Sequence, residues 1–468
     1  MTSIPPLSPP IAIQPVYPLN QPGETICVYA GKVGFQGQQV PGVIELRCSP
    51  ELDLVWQVEP PVAMHTGTVE LQVPLPYGDR TVAGAQRSVD HGFLHGAELS
   101  ASEDSNLSRV VAHWMNLPRL GGNLPVRESG DGDDRAQWRR WVHTTGGWQL
   151  TIDARRDLSE VHEVIGQNRA IAITHVMEIR RADGQDFGIE QAREILTALQ
   201  FALSFGSGRW VAPALPVGFD SAGNRVWDQW ESHFCDPGAN IWGSWLDFHR
   251  GADVRDLIDK VVAAFADEWA KTHEWLPLLA MAVQGNLSGR IEQRIMTLHS
   301  GLEMLIWTTL LNDQGWSENK YKRIKYNDSR LRLLLSNAGI STQVDASHLP
   351  ELHSFTQDAK ARRDAQARKN AQATGAAAPG PQPTVANRPT DGPYVVCDLR
   401  NRVIHPEPQR PSSAAEETTE RLRRAALFDS LLLSQEYYIL LLLHRLNYGG
   451  RYRSNIRTKP VETVPWAV

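Results

Sequence analysis

Three polar side chains near the end of one predicted helix could act together in acid–base catalysis. Arg400, Asn401 and His405 occur in the segment YVVCDLRNRVIHPEPQR, and Pro406 follows directly and ends the helix. An imidazole exchanges protons near neutral pH, and a guanidinium forks its donors around a phosphate. These residue types therefore suit an acid–base catalyst.

The helical repeat explains how these side chains escape the core. At about 100° per residue, Val396, Leu399 and Val403 form one apolar stripe that would face a helical bundle. Asn401 and His405 are four residues apart and point the other way, with Arg400 at the edge of the stripe. His405 also ends the helix, where the macrodipole favours a cation.

The chain supplies its own controls for this spacing. Similar Arg–His separations occur at Arg156–His162, Arg169–His175 and Arg294–His299. Only the pair Arg400–His405 combines an adjacent Asn, a following Pro and a long apolar helix downstream. The conjunction, rather than the spacing, singles out this site.

Other catalytic patterns are absent from the sequence. It contains no phosphate-binding G-x-x-x-x-G-K-[ST] loop, no G-x-G-x-x-G after a strand and no H-E-x-x-H. The segment GNLSG around Ser288 has the wrong glycine spacing for an esterase. Four scattered cysteines form neither a metal pair nor a disulfide framework, so we expect no cofactor, no metal and a cytoplasmic protein.

Composition limits the class of partner. The chain has 468 residues, and 47 basic against 53 acidic residues give a net charge of −6, so a polyanion would need a local basic patch. The N-terminus lacks the features of a signal peptide. The most apolar run, Ser430–Leu446, is interrupted by Gln435 and Glu436, so we predict no membrane span.

Hydrophobic periodicity changes along the chain and predicts an α+β protein. Short apolar stretches between Val33 and Val82, and a hairpin at Gly146-Gly147, indicate a β-rich N-terminal domain of about residues 1–250, with subdomains of about 1–115 and 116–250 as one option. The segment FGIEQAREILTALQFALSFGSG predicts one amphipathic helix that stops at Gly206. We place the domain boundary near residue 250.

The second half, about residues 251–468, is predicted to be a bundle of four or five helices. The first of these is the long segment ADVRDLIDKVVAAFADEWAK. An insert rich in Ala, Gln, Pro and Gly, Ala361–Gly392, interrupts the bundle and is expected to be a mobile loop.

Basic and aromatic residues cluster near the C-terminus. The stretch from Arg445 to Lys459 contains no acidic residue; its five basic residues and interleaved tyrosines are Arg445, Arg451, Arg453, Arg457, Lys459, Tyr448 and Tyr452. Such a segment can bind phosphates and stack on bases. Arg402, Arg445, Arg451, Arg453 and Tyr452 are therefore candidate RNA contacts, with a solvated tail as the equal alternative.

The segment LRNRVIHP resembles the R-N-x-x-x-H signature of HEPN domains, an all-α family. The flanking segments RIEQRIMTLHSGLEMLIW and LLLSQEYYILLLLHRLNYGGRYRSN are similar to the first and last helices of Apea-like HEPN domains, many of which belong to prokaryotic phage-defence proteins. The resemblance covers about residues 280–457. The β-rich half, with ITHVMEIRRADG, is similar to domains that precede such units.

The resemblance implies a metal-independent endoribonuclease. In this family two units pair as a homodimer or higher oligomer, and their motifs face a shared cleft. RNA supplies its own 2′-hydroxyl nucleophile, so the implied site needs only proton transfer and charge stabilisation. His405 would be the acid or base, Arg400 would neutralise the phosphate, and Asn401 would orient. RNA is the expected partner, tRNA a candidate substrate and a phage protein a candidate trigger.

Two further classes of function remain open. The site could be a non-catalytic RNA- or nucleotide-binding module, or the bundle could supply only a dimer interface while the first half recognises a protein. His299 and Glu303 lie four residues apart and are expected to be a structural pair more readily than part of the site. His143, His175 and most of the 15 tryptophans are expected to pack in the core.

Overall fold

The structure is a computed structural model in which the chain forms two compact units, Met1–Ala263 and Ala264–Val468. The described residues are 9–61, 67–102, 105–128, 136–238, 244–287, 289–374, 388–405, 413–456 and 461–467. The first unit is β-rich and the second is helical, which confirms the expected α+β class. The division comes later than residue 250, because the helix Gly251–Ala264 lies almost wholly in the first unit.

The first unit begins with a closed antiparallel barrel of six strands. The strands are β1 (Ile26–Phe35), β2 (Gln38–Cys48), β3 (Leu52–Val58), β4 (Thr68–Leu75), β5 (Gly78–Gln86) and β6 (His91–Leu94). They close in the order β1-β2-β3-β6-β5-β4. Alternating residues such as Ile44, Leu46 and Trp56 point into the barrel and are fully buried, as the period-two pattern predicts.

An eight-stranded sheet forms the rest of the β structure, in the order β10-β11-β12-β13-β9-β15-β16-β7. Its strands, with the short pair β8 and β14, are β7 (Ala97–Ser100), β8 (Asn106–Leu107), β9 (Arg109–Met115), β10 (Leu124–Val126), β11 (Gln137–Thr145), β12 (Trp148–Ala154), β13 (Ile173–Arg181), β14 (Phe187–Gly188), β15 (Ala212–Phe219) and β16 (Arg225–Trp230). The predicted hairpin joins β11 to β12, and both Gly146 and Gly147 have the positive φ that such a turn requires.

Three helices accompany this sheet: α1 (Leu158–Asn168), α2 (Ile189–Ser207) and α3 (Gly251–Ala264). The apolar stripe predicted for α2 is buried. However, α2 continues through Gly206 and ends at Gly208, whose φ of 64° provides the left-handed cap. Gly206 is a packing position instead, because a Cβ there would lie 2.7 Å from Leu246 Cδ2.

The second unit is a helical bundle whose helices outnumber the four or five predicted. The α-helices are α4 (Glu268–Ala270), α5 (Leu276–Gln284), α6 (Ile291–Trp307), α7 (Glu318–Arg323), α8 (Asn327–Asn337), α9 (Pro350–Thr374), α10 (Gly392–Ile404) and α11 (Ala414–Arg445). Two π-helical turns, Lys271–Trp275 and Thr308–Asp313, extend this set, and strands β17 (Arg451–Tyr452) and β18 (Glu462–Thr463) form a small hairpin. The single helix predicted after residue 250 is broken before Asp267, whose carboxylate caps α4.

The insert differs from the predicted mobile loop in its first part. Residues 361–374 continue helix α9, residues 375–387 lie outside the described chain, and α10 begins at Gly392. The segment ARRDAQARKNAQAT contains neither Gly nor Pro and is rich in strong helix formers, so the helix propagates through it. The side chains of residues 361–369 are exposed or partly exposed, so a polar composition suits this surface of the helix.

Helix α11 is the central helix of the bundle and packs against α5, α6, α9 and α10. It is long and apolar enough to cross a membrane by length and composition, and 78% of its apolar window is buried within the protein. A core helix gives the same pattern. Gln435 in this helix is satisfied by a hydrogen bond to Asn286, so its burial costs little.

Candidate functional site

Helix α10 carries the predicted site residues and is fixed at both ends. Asp391 caps its N-terminus by accepting a hydrogen bond from the Tyr394 amide, and His405 ends it, donating its own amide proton to the Asn401 carbonyl at 2.8 Å. Val396 and Leu399 are fully buried, as the predicted stripe requires. Val403, the third residue of the predicted stripe, is only half-buried. Val395, which the predicted stripe did not include, is fully buried.

A cavity of about 350 Å³ opens beside α10 within the second unit. It is bounded by α6, by the start of α8 and by the polar side of α10. Its lining residues are His299, Leu302, Glu303, Ile306, Lys325, Tyr326, Asn327, Asp328, Leu331, Arg388, Tyr394, Cys397, Asp398, Arg400 and Asn401. The structure therefore brings Arg400 and Asn401 together at one concave polar surface.

Arg400 is held in the cavity by hydrogen bonds within the chain. Its Nη2 lies 2.9 Å from Glu303 Oε1, and its Nη1 donates to Asn401 Oδ1 at 3.1 Å. The same Glu303 oxygen accepts from Asn327 Nδ2 at 3.0 Å. Nε of Arg400 is buried without a partner. Glu303 thus orients Arg400 and balances its charge. This pairing could not be predicted from the sequence.

Aromatic rings and cations also line the cavity next to one another. The Arg388 guanidinium lies 3.8 Å from the Tyr326 ring centroid and 5.4 Å from that of Tyr394. Its Nη1 also binds Asp328 Oδ1 at 2.8 Å, and the buried Asp328 carboxylate contacts Arg332 as well. Flat rings next to guanidinium groups are surfaces on which a nucleobase can stack.

His405 is exposed and is not among the described residues that line the cavity. It lies one helical turn beyond Asn401 and two turns beyond Asp398, so the three positions share one side of α10. His405 therefore lies outside the cavity, at a position one turn beyond the cavity-lining Asn401. An imidazole so exposed can meet a substrate or a second subunit.

The histidines of the other three Arg–His pairs are buried or largely buried. His299 is 3% exposed, and burial, aided by the nearby charge of Arg400, lowers its pKa to about 3. Its Nε2 lies 3.3 Å from Ser434 Oγ, so His299 is a neutral core residue. Burial also lowers the pKa of His162 to about 4 and the pKa of His175 well below its usual range. Such histidines hold no proton at neutral pH.

The basic cluster near the C-terminus is only partly available. Arg451 and Arg453 are exposed, whereas Tyr452 is 5% exposed and Tyr448 is fully buried. A base cannot stack on Tyr452 as predicted, because the tyrosine ring is buried within the second unit. Arg457 and Lys459 lie outside the described residues.

Arg445 has a structural role rather than the predicted RNA contact. Its side chain is 7% exposed, binds Glu274 and Asp313, and covers the Trp275 ring at 4.3 Å. Arg402 is partly exposed and forms a pair with Asp398 at 3.2 Å, one turn earlier on α10. Of the predicted RNA contacts, Arg402, Arg451 and Arg453 thus remain accessible.

His143 makes an ion-pair contact inside the first unit. His143 Nε2 is 2.7 Å from Asp259 Oδ1, a contact between β11 and α3. Across the described ranges, no group of three or more His, Cys, Asp or Glu is arranged to hold a metal ion. The largest fully buried side chains include six tryptophans, as core packing requires: Trp56, Trp114, Trp141, Trp227, Trp230 and Trp245.

Comparison with known proteins finds similarity in both units. Residues 102–241, in the first unit, match the family described as the YopA central domain, and residues 278–464, in the second, match the YopA C-terminal domain. Two separate segments of the chain are therefore similar to domains of YopA. The second match covers α6, α10 and α11, and so includes the whole cavity.

One curated relative is the SPbeta prophage-derived uncharacterized protein YopA of Bacillus subtilis (strain 168). It is 23% identical over 263 residues, which are 55% of this chain and 51% of the relative. The chain thus spans about half the length of the curated relative it matches. No solved structure matches this chain.

Proposed function

We propose that the second unit is a HEPN-type, metal-independent endoribonuclease and that the β-rich first unit senses the signal that activates it. The observation that carries this proposal is the cavity in which Arg400 and Asn401 meet stacked aromatic and cationic side chains, with His405 exposed on the same side of α10. RNA is the substrate, with tRNA a candidate. The protein acts as a cytoplasmic homodimer or larger homo-oligomer.

In the proposed reaction the 2′-hydroxyl of RNA attacks the adjacent phosphorus and the 5′-oxygen leaves. His405 transfers a proton to or from one of these oxygens, and Arg400 stabilises the charge of the phosphorane through its fork of donors. Asn401, already bonded to Arg400, keeps the guanidinium oriented. Tyr394, beside the cavity, offers a face for a neighbouring base.

A second subunit would complete the site. One chain places Arg400 in a cavity and His405 outside it, so two copies related by a twofold axis would bring two exposed imidazoles toward two cavities. The two histidines could then divide the roles of acid and base. A monomeric mass in solution would contradict this arrangement.

The comparisons are compatible with a role in phage–host conflict. The relative from Bacillus subtilis is described as prophage-derived. An RNase that is released on infection, or carried by a prophage against competitors, would be toxic unless restrained. We therefore propose abortive infection as the setting and a phage protein as the trigger.

A non-catalytic nucleotide-binding module is the second candidate, and one observation favours it. Glu303 and Asn401 already occupy two donors of Arg400, and His405 stands apart from the cavity lining. A module that only binds would need Arg400 but not His405. Loss of His405 therefore separates the two candidates.

The experiment incubates the full-length protein with total RNA in a metal chelator. We expect cleavage by the parent, a loss of about 100-fold or more in His405→Ala, and a similar loss in Arg400→Ala, since each removes a transition-state interaction. His273→Ala and Arg424→Ala are matched controls, because both side chains are exposed in the same unit away from the cavity lining.

The same samples are tested for RNA binding. Binding that persists in His405→Ala while cleavage disappears supports the nuclease. Binding by the parent without any cleavage supports the second candidate. Unchanged cleavage by pure His405→Ala protein would remove this residue from the mechanism.

A further inference from the structure

A second cavity lies in the first unit, on the face of the eight-stranded sheet. Its volume is about 700 Å³, within the range of roughly 300–1,000 Å³ that is common for small-molecule sites. Its floor is formed by side chains of the adjacent strands β11, β12, β13, β9 and β15. Its wall is the extended segment 11–17, here called the strap, which crosses the sheet.

Side chains of the sheet hold the strap in place, so the wall is preformed. The Ile13 amide donates to Asp153 Oδ2 at 2.8 Å, and the Val16 amide donates to His113 Nε2 at 3.1 Å. Both acceptors are fully or almost fully buried. A ligand that enters this groove therefore meets a fixed surface and need not order the strap first.

The groove has more positive than negative charge. Arg109 and Arg180 share the single carboxylate of Glu178: Arg180 Nε is 2.8 Å from Oε1, and Arg109 Nη1 is 3.4 Å from Oε2. Arg140 is satisfied separately, by Asp153 and by a strap carbonyl. Glu178 is the only acidic residue among the described residues that line the groove, so one positive charge lacks a counter-charge there.

An apolar surface lies beside these charges. Ile13 and Val16 of the strap and Val111 of β9 line the groove. The guanidinium carbon of Arg109 lies over the Phe219 ring, 4.2 Å from its centroid. Such a stacked pair offers a planar surface to an aromatic group and leaves donors at its edge for an anion.

We propose that this groove binds a small anionic molecule with an aromatic or apolar body. Its carboxylate or phosphate takes the donors of Arg109 and Arg180 that Glu178 does not use, and its body lies against Phe219, Val111 and the strap. The inference goes beyond the proposed nuclease, which uses only the second unit. It assigns a ligand site to the unit for which we propose a sensing role.

The test uses the full-length protein and a fluorescent aromatic anion, 8-anilino-1-naphthalenesulfonate. We expect saturable binding to one site, and much weaker binding of N-phenyl-1-naphthylamine, which has the same rings but no charge. Arg109→Gln and Arg180→Gln should each weaken binding of the anion by about tenfold or more, since each removes a charge-assisted hydrogen bond. Gln149→Glu, which adds a negative charge to the floor, should weaken it as well.

Arg193→Gln is the matched control. Its side chain is 46% exposed and paired with glutamates, as that of Arg180 is 47% exposed and paired with Glu178, but it lies on α2 outside the groove lining. Competition by inorganic phosphate or by acetate identifies which anionic head the arginines prefer. Circular dichroism of each variant separates loss of the site from loss of the fold.

Three results would overturn the inference: no saturable binding, equal binding of the charged and uncharged probes, or parent-like binding by Arg109→Gln, Arg180→Gln and Gln149→Glu. The measurement involves no RNA. Its failure would therefore leave the nuclease proposal intact, and loss of RNA cleavage would leave this groove intact.

Discussion

The cavity of the second unit and the groove of the first both gather arginines around aromatic rings, but the two linings differ in net charge. In the cavity Arg400 is paired with Glu303, Arg388 shares the Asp328 carboxylate with Arg332, and the described lining carries as many acidic as basic residues. In the groove Arg109 and Arg180 share Glu178. Similar residue types thus give a balanced site in one unit and a positive site in the other.

This difference determines what each site can do with an anion. In the nuclease we propose, a phosphate that enters the cavity would have to displace Glu303 from Arg400, so the gain in ground-state binding would be small. A phosphorane carries more charge than the phosphate and gains more from Arg400, which favours the transition state over the substrate. In the groove, one positive charge has no carboxylate of its own that an anion would have to displace. The groove is therefore suited to binding an anion without changing it chemically.

The largest effect we expect comes from Arg445, whose buried side chain binds both Glu274 and Asp313. Arg445→Ala removes the partner of Glu274, which is 4% exposed. An uncompensated buried carboxylate costs about 3–5 kcal/mol. Urea titration should therefore show a large fall in the free energy of unfolding of the second unit.

The double variant Arg445→Ala, Glu274→Ala is the control. It removes both charges, so it should be less destabilised than the two single variants together, and the difference measures their coupling. Suppose instead that the destabilising effects of the two single variants simply add up in the double variant and that RNA binding falls in Arg445→Ala. Arg445 would then be a substrate contact, as the sequence alone suggested.

Acid should weaken the first unit through His113, which holds the strap. Burial lowers the pKa of His113 to about 4, and its Nε2 accepts the amide protons of Val16 and Tyr17. In the unfolded chain the pKa is about 6.5. Because the unfolded state binds more protons between these values, stability falls as the pH drops from about 6.5 to 4, by roughly 3 kcal/mol in all.

Two measurements check this expectation. Hydrogen exchange at Val16 and Tyr17 should accelerate toward pH 4 beyond the intrinsic rate, because a protonated Nε2 cannot accept their amide protons. His113→Gln should reduce the pH dependence of unfolding, and His95→Gln, at an exposed position, should leave it unchanged. His162 and His175 shift in the same direction, so the slope should decrease rather than vanish.

Local patterns in the sequence predicted much of the fold. The alternation in β2 and β3, the Gly146-Gly147 turn and the stripe of α2 depend on neighbours within a few residues, so they can be read from the chain. The side of α10 that faces the core could be predicted for the same reason, since Val396 and Leu399 had to be buried. Helix α9 was missed because its Ala- and Arg-rich end has a composition that exposed helices share with loops.

Pairings between distant segments were not predictable in this way. Glu303 meets Arg400, and Glu274 meets Arg445, only because α6 and the π-turn before α5 pack against α10 and α11. The groove depends on five strands whose order in the sheet differs from their order in the chain. A cluster of basic residues in the sequence therefore says nothing about which of them keep a free charge.

The smallest expected effect tests the two pairing modes directly, by removing one arginine from each site. Arg388→Gln removes a stacked guanidinium from a carboxylate that is 4% exposed and should destabilise the second unit by about 1–3 kcal/mol. Arg180→Gln removes an exposed cation that shares its carboxylate and should change stability by about 0–1 kcal/mol. Both are measured by urea titration at one pH and ionic strength.

Salt provides the internal control for this pair of variants. Exposed pairs are screened at high ionic strength, whereas buried ones are screened much less, so the effect of Arg180→Gln should vanish in about 1 M salt while that of Arg388→Gln persists. Equal losses that respond equally to salt would mean that both arginines are structural. The positive charge of the groove would then stabilise the sheet, and the contrast between the two sites would fail.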